Sequence, residues 1–438
     1  MTARPGAASV APTGRQEPLD VAPGAVDALD LAARLEASGM SDRTALSRYG
    51  ESDVFTLAVA FHRGDGWSST PSRRVPVPTG LAESWRRAGL LVAGVLLAAA
   101  VLNVLGLGAP VVWTVGVIGW VGGQLVAGIA WTRLGCGQAD AGLRRAGAAA
   151  LVVLAVATVA PLALPGSVPV TGTVLCVVWA AYACSVSLLV STRRTDLALL
   201  AVLVSALLVG GAQVAHQPWT PTAILLIGSL GAGTVIVLAG SAVLRAGGPA
   251  HPDSADWRAA APAAAQAALL AASLLALLQT VPEGSTTPLV VASVVGAATA
   301  DPAIVTLRAH LRSSAARFYV LSAAARSARR AAVVAAASTA AASALAAVTV
   351  VLVLRAGSPD WPVTVITAAA FTSVATTSAA LTAFGAPWRA VVAAALTGLY
   401  AGAALVSTAL AVAVVFPLAL VGAVGLLLHR VSDPRVVV

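Results

Sequence analysis

Twelve long apolar runs follow one another between residues 88 and 428, and they constrain this fold more than any other feature of the sequence. About 20 helical residues cross the roughly 30 Å hydrocarbon core of a bilayer, and each run is close to that length. A helix satisfies its own backbone hydrogen bonds in lipid, so the pattern predicts an all-α, polytopic membrane protein. The predicted spans are 88–108, 110–131, 146–164, 168–190, 196–215, 221–244, 259–279, 287–306, 331–354, 362–384, 388–406 and 409–428.

The composition excludes most other classes of protein. Of the 438 residues, 58 % are apolar and only 10 % are charged, whereas soluble domains are nearer about 45–50 % and 25 %. The net charge of +9 comes from arginines dispersed among apolar segments, which argues against a soluble enzyme or a nucleic-acid partner. The absence of Lys and the abundance of Ala favour a bacterial source.

The arginines predict how the chain is oriented. All 27 basic residues are Arg, and all but Arg355 fall in the N-terminal segment, the C-terminal tail or connections on one side of the twelve-span pattern. Arginine accumulates on the cytoplasmic side of bacterial membrane proteins. We therefore expect a multi-pass protein of the bacterial inner membrane with both termini in the cytoplasm and lipids around its spans.

The first 84 residues are polar and carry no apolar run long enough to span a membrane. Residues 1–24 have no period and predict a disordered tail. Residues 25–63 have apolar residues at helical spacing and predict two or three short helices, with a cap near Ser41. Residues 64–84 predict a linker. This segment contains an apolar stripe, formed by Val54, Leu57, Ala58 and Phe61. The segment is too short to cover the stripe itself, so we expect a cytosolic partner, a second copy of the chain or the inner face of the bundle to cover it.

The membrane part divides into two parts of similar length, residues 85–244 and 259–430. A cytoplasmic connection, 245–258, joins them, and 431–438 form a short tail. Six plus six spans are common in transporters built from repeats. Arg144 and Arg145 precede the third run, and Arg329 and Arg330 precede the ninth. These pairs indicate either an internal repeat or the usual accumulation of arginine in cytoplasmic loops.

The connection after the second run carries a resemblance to a known superfamily. Its stretch Arg133-Leu134-Gly135-Cys136-Gly137-Gln138, followed by Arg144 and Arg145, is similar to the glycine-containing turn of the multidrug/oligosaccharidyl-lipid/polysaccharide exporter superfamily. The resemblance implies two six-helix bundles and a transporter. Flippases of lipid-linked oligosaccharides resemble the chain more than cation-coupled drug exporters do, because the first half has no acidic residue within a span. The chain departs from flippases of anionic lipid-linked sugars in having no Arg at mid-membrane.

No motif in the sequence indicates catalysis, a cofactor or a metal, since HExxH, GxxxxGK[ST] and GxSxG are all missing and the cysteines lack metal-ligand spacing. Polar side chains inside spans are the default functional candidates. Asp301 either binds a proton or a cation or lines a cavity, or it lies near the cytoplasmic boundary and pairs with Arg308. Gln124, Asn103 and Gln266 either line a pathway or join helices by hydrogen bonds.

Two further segments allow alternatives. The Ser- and Thr-rich tenth run predicts a closely packed helix, with a water-lined pathway as the alternative. The arginines between Arg308 and Arg326 predict an amphipathic helix on the inner leaflet, or only the usual topological charge.

The leading functional expectation is a flippase or exporter of a lipid-linked saccharide or polysaccharide precursor. The alternative is a non-transporting scaffold subunit of an envelope-assembly or secretion complex. A membrane-embedded glycosyltransferase is disfavoured, because only Glu283 and Asp360 would supply acidic groups on the outer side.

Overall fold

The computed structural model describes residues 25–37, 39–63, 80–105, 109–163, 170–192, 195–214, 220–281, 283–317, 321–354, 361–407 and 411–432. Over these ranges the chain is helical and contains no strand. The predicted tail 1–24, most of the predicted linker and residues 433–438 lie outside them. The chain forms two compact units, one with residues 1–77 and 311–324, the other with 78–310 and 325–438.

Three short helices form the N-terminal part of the first unit, as predicted: α1 (Ala28–Ala37), α2 (Asp42–Tyr49) and α3 (Val54–Arg63). The Ser41 hydroxyl accepts a hydrogen bond from the Thr44 amide, which confirms the predicted cap of α2.

The expectation that the stripe on α3 lacks cover from its own chain was wrong. Leu57 is 2 % exposed and packs in a small core with Leu31 and Leu35 of α1 and with Ala45 of α2. Three amphipathic helices bury each other's apolar faces, although each is too short to do so alone. A cytosolic partner for residues 25–63 therefore stays a prediction that the stripe itself no longer requires.

Twelve longer helices follow, one for each predicted span, and eleven of them are long and apolar enough to cross a membrane. The twelfth, α15, is shorter and is preceded by a π-helical turn, Ala411–Val415. The prediction of an all-α polytopic membrane protein is thus confirmed. The helices are α4 (Leu81–Leu105), α5 (Ala109–Gly135), α6 (Ala139–Val159), α7 (Val170–Thr192), α8 (Thr195–Val214), α9 (Pro221–Arg245), α10 (Ser254–Leu278), α11 (Glu283–Arg317), α12 (Leu321–Leu354), α13 (Trp361–Ala383), α14 (Pro387–Val406) and α15 (Phe416–Val431).

Helices α4 to α9, called half 1 below, share one apolar core. Aromatic side chains of α7 fit against glycines of neighbouring helices. A Cβ atom at Gly94 of α4 would collide with the Tyr182 hydroxyl, and one at Gly119 of α5 would collide with Trp179. The Tyr182 hydroxyl also donates to the Leu90 carbonyl oxygen at 3.0 Å. Glycine is needed at these two places because it lets backbones approach closely.

Helices α10 to α15, called half 2, pack around α13, whose hydroxyls are mostly buried. Thr372 donates to Ser343 of α12 at 3.0 Å, and Thr376 donates to Thr339 at 3.0 Å. These bonds join α13 to a neighbouring helix and leave no open face of hydroxyls there. The prediction of a closely packed tenth span is therefore confirmed.

Helix α11 has 35 residues and α12 has 34, so each is about 50 Å long and longer than a bilayer core. Helix α11 continues to Arg317, and α12 already begins at Leu321. Arg308, Arg312 and Arg317 therefore belong to α11 and Arg326 to α12, whereas residues 318–320 lie outside the described part of the chain. An amphipathic helix on the inner leaflet stays a prediction.

Candidate functional site: an ion-pair clasp between the halves

The turn between α5 and α6 places two arginines side by side. Gly137 adopts φ +74°, the left-handed conformation that glycine tolerates best. The Gln138 amide donates to the Arg133 carbonyl oxygen at 2.9 Å and the Gly137 amide to that of Leu134 at 3.0 Å. These are the two bonds of a Schellman helix end. The chain therefore reverses tightly, and Arg145 in the second turn of α6 comes beside Arg133.

The start of α10 supplies two carboxylates. Asp253 caps the helix by accepting bonds from the Ala255 and Asp256 amides, and the Asp256 side chain accepts from the Asp253 amide. This reciprocal arrangement is a capping box. It fixes both side chains at the first turn of half 2.

Four side chains form an ion-pair cluster that we call the clasp: Arg133, Arg145, Asp253 and Asp256. Arg133 Nη2 lies 2.8 Å from Asp253 Oδ2, and Arg133 Nε lies 2.5 Å from Asp256 Oδ1. Arg145 Nη1 lies 2.7 Å from an oxygen of each acid. The Asp256 side chain is 1 % exposed. Because the arginines belong to half 1 and the acids to half 2, the clasp joins the two halves.

The clasp keeps Asp253 ionised. The Asp256 amide, the Arg145 side chain and the charges of both arginines hold the pKa of Asp253 well below its usual range. Since charge-assisted bonds stabilise the ionised form, the Asp253 contacts persist as the pH falls through the ordinary titration range of Asp. They are lost only below it.

A second ion pair also joins the halves. Arg87 Nη1 of α4 lies 3.4 Å from Asp301 Oδ2 of α11, and the Arg87 guanidinium lies 5.4 Å from the ring centre of Trp131. This places Asp301, the first sequence candidate, against Arg87. Arg308, expected as its alternative partner, donates to the Ala383 carbonyl oxygen and lies 5.8 Å from the ring centre of Phe384.

The remaining candidates within spans take different positions. Gln266 of α10 is buried and accepts a hydrogen bond from Thr382 of α13 at 2.8 Å, so it joins two helices of half 2. Gln124 lies on an exposed face of α5. The Asn103 side chain lies outside the described part of the chain.

The loop candidates divide between the two halves. Gly135 is the last residue of α5, and Arg144 donates to the Gly248 carbonyl oxygen at 3.2 Å. In half 2, Arg329 donates to the Ser432 hydroxyl at 2.9 Å, and Arg330 is exposed on α12. The two arginine pairs thus have different partners, and of their four members only Arg145 belongs to the clasp.

Sequence reasoning singled out the arginines of the clasp and missed its acids. Asp253 and Asp256 were included only in a connection between halves, although two acids three residues apart before an apolar run are a helix-start signal. That signal predicts a cap. It does not show that the same carboxylates reach α5 and α6.

An apolar slot of about 290 Å³ lies at the other end of half 1, between the end of α4 and the beginnings of α7 and α9. Its walls include Val101 of α4, Val174 and Val178 of α7 and Gly228 of α9. Along α7 the lining residues run from Val170 to Tyr182, a rise of about 18 Å. The slot is therefore elongated parallel to the helices.

Among the residues that the structure covers, no cluster of three or more His, Cys, Asp or Glu side chains is placed to hold a metal ion. No family model matches the chain, and no curated protein matches it. A search of solved structures finds similarity to a MOP superfamily transporter from Pyrococcus furiosus, with 13 % sequence identity and a TM-score of 0.50. The match covers 81 % of this chain and 96 % of that one.

These findings define the class. The chain is a polytopic membrane protein with the fold of a MOP superfamily transporter. MOP stands for the multidrug/oligosaccharidyl-lipid/polysaccharide exporter superfamily, to which the turn after the second span shows its resemblance. The Pyrococcus furiosus protein was described by the reverse polarity of its binding pocket and a different function that this polarity suggests, a description that applies to that protein.

Proposed function

We propose that the protein is a bacterial inner-membrane flippase or exporter whose substrate is a lipid-linked saccharide. The MOP-type fold supports transport as the activity. Both termini would lie in the cytoplasm, so that the clasp would close the inner end of the passage between the halves.

One observation carries the choice of substrate class. In the described part of half 1 the acidic residues are Glu83, Asp140 and Asp196, and each lies in the first turn of a helix. Acids at helix N-termini are stabilised by the helix dipole and stay near the membrane surface. The described part of half 1 therefore offers no carboxylate at the depth at which an exporter would bind a cationic drug, and it contains an apolar slot. Asp301, which lies within a span of half 2, is paired with Arg87.

The clasp supplies a means of alternating access. Two halves that rock about a central site expose it to one side at a time. Ion pairs between Arg133 and Arg145 on one half and Asp256 on the other stabilise the state in which the inner ends meet. Asp301 and Arg87 add a second link of the same kind.

Reconstitution tests the proposal. A polyprenyl diphosphate that carries a short saccharide with a nitrobenzoxadiazole label is placed in both leaflets of proteoliposomes, and dithionite is added outside. We expect the inner-leaflet pool to become reducible only in vesicles that contain the protein. A pool that stays protected, with the protein folded, would contradict transport and favour the scaffold alternative.

A matched pair of variants tests the clasp. The double variant Arg133→Gln, Arg145→Gln removes its cations, and we expect slower flipping because the inward-closed state loses its ion pairs. Arg258→Gln removes an exposed arginine of α10 that bonds only Ser254 of the same helix among its described contacts, and it should flip at the parent rate. Equal rates in the two variants would remove the clasp from the mechanism.

A further inference from the structure

We propose that the apolar slot of half 1 binds the hydrocarbon tail of the lipid-linked substrate. This rests on the proposed function and deepens it by assigning a site to one part of the substrate. Among the described residues, those that line the slot belong to α4, α7 and α9, so the slot lies within one half and apart from the clasp.

The lining selects for hydrocarbon. Among the described side chains that line the slot, only Thr171, Ser229, Trp179 and Tyr182 carry a polar atom. The Tyr182 hydroxyl already donates to the Leu90 carbonyl oxygen. A saccharide buried there would lose its hydrogen bonds to water and find few partners, at a cost of about 1–3 kcal/mol for each unsatisfied group. An apolar chain carries no such penalty.

The shape and the opening favour one extended chain. The slot follows α7 for about 18 Å from the helix end to Tyr182, roughly half of a bilayer. Trp179 and Tyr182, stacked with ring centres 5.4 Å apart, form its inner end. Its α7 wall includes Val170, Val174 and Val178, which are 80 %, 55 % and 38 % exposed. These side chains also belong to the surface that faces lipid, so a chain can enter sideways from the leaflet.

Glycine and alanine keep the slot open. The lining includes Gly94 of α4, Gly228 of α9 and Ala98, which is half-buried and lies one turn after Gly94 on α4. A Cβ atom at Gly228 would lie 3.1 Å from Val101, so even one added carbon would narrow the slot. A Phe side chain at position 98 would occupy it.

Photolabelling tests the assignment on the full chain in lipid nanodiscs. The probe is a polyprenyl phosphate with a diazirine in its chain, and labelled residues are located by mass spectrometry. We expect label on the slot residues of α4 and α7 in excess of label on Val152 and Val156, which are also exposed apolar residues of half 1. Ala98→Phe should abolish that excess, whereas the control Ala155→Phe, at an exposed position of α6 away from the slot, should retain it.

Competition between the probe and unlabelled lipids shows which lipid supplies the hydrocarbon chain in the slot. Unlabelled polyprenyl phosphate should displace the probe from the slot, and unlabelled phosphatidylglycerol should not. Displacement by both lipids equally, or labelling that Ala98→Phe leaves unchanged, would overturn the assignment. If the slot is labelled and displaced as expected but the parent protein does not flip the saccharide probe, the tail site stands and the proposed function fails.

Discussion

Asp256 is the most buried member of the clasp. It is almost completely buried and accepts bonds from Arg133 and Arg145 while also closing the capping box with Asp253. Charge-assisted hydrogen bonds of this kind contribute about 1.5–3 kcal/mol each. A buried acid that pairs with two arginines leaves both cations poorly compensated when it is removed.

Asp256→Ala should therefore lower the free energy of unfolding by about 2–3 kcal/mol. Thermal unfolding in detergent, followed by the loss of monodisperse protein, measures the change. Asp253→Asn is the matched control, because an Asn side chain can still cap α10, while Asp253 is 48 % exposed and its pairs are screened by water. The interpretation fails if the two variants melt at the same temperature.

At this scale the sequence predicted the chemistry of single residues better than their partners. Arg133 and Arg145 could be identified from the sequence because they flank a glycine-containing turn only a few residues away. Their acids lie more than a hundred residues away in the chain, and only the packing of α10 against α5 brings them together. The same limit applies to Asp301, whose ion pair with Arg87 spans 214 residues.

Among the helices, α13 is packed so closely against α11 that the contact leaves no room for a side chain at Gly296. A Cβ atom at Gly296 of α11 would collide with the Thr372 side chain, which also bonds Ser343. Overpacking of a well-filled core costs about 1–3 kcal/mol. We expect Gly296→Ala to lower the melting temperature in detergent. Gly402→Ala in α14, where no atom lies within 4 Å of the added Cβ, should leave it unchanged or raise it. A Gly296→Ala variant as stable as the parent would contradict the packing of α13.

The elements themselves were largely predictable. Apolar length predicts a span, because a helix in lipid must be about 20 residues long, and every predicted run corresponds to a helix. The apolar runs did not predict how far a helix continues into polar residues, nor which neighbouring helices cover a short apolar stripe. Arg312 and Arg317 extend α11, since a helix that has crossed the bilayer can continue into water. The stripe on α3 is covered by α1 and α2, which apolar spacing alone could not pair with it.

At the scale of the whole molecule, the orientation in the membrane is a prediction that one native cysteine can test. Cys136 is exposed in the turn after α5, whereas Cys176 and Cys184 are buried. A membrane-impermeant maleimide should therefore label Cys136 in inverted vesicles and leave it unlabelled in intact cells. Cys136→Ser should abolish the signal. Labelling from outside would place the arginine-rich connections on the outer face and reverse the predicted topology.

Transport by rocking of the two halves predicts that a covalent bond beside the clasp stops the cycle. A Cβ atom at Gly128 of α5 would lie 3.0 Å from the Cβ atom of Ala260 in α10. Disulfides need a Cβ separation of about 3.5–4.5 Å, so a small outward shift brings the two introduced thiols of the double variant Gly128→Cys, Ala260→Cys into bonding range. The three native cysteines are first replaced, so that only the new pair reacts.

Oxidation of this double variant should link α5 to α10, abolish flipping of the labelled saccharide lipid, and be reversed by dithiothreitol. The two single-cysteine variants are the controls and should be insensitive to the oxidant. Cross-linking is followed by the gel mobility of a chain cleaved by protease between the halves, which stays in one piece only when the disulfide forms. A fully cross-linked protein that flips at the rate of its reduced form would show that α5 and α10 need not separate, and the role of the clasp in alternating access would then be wrong.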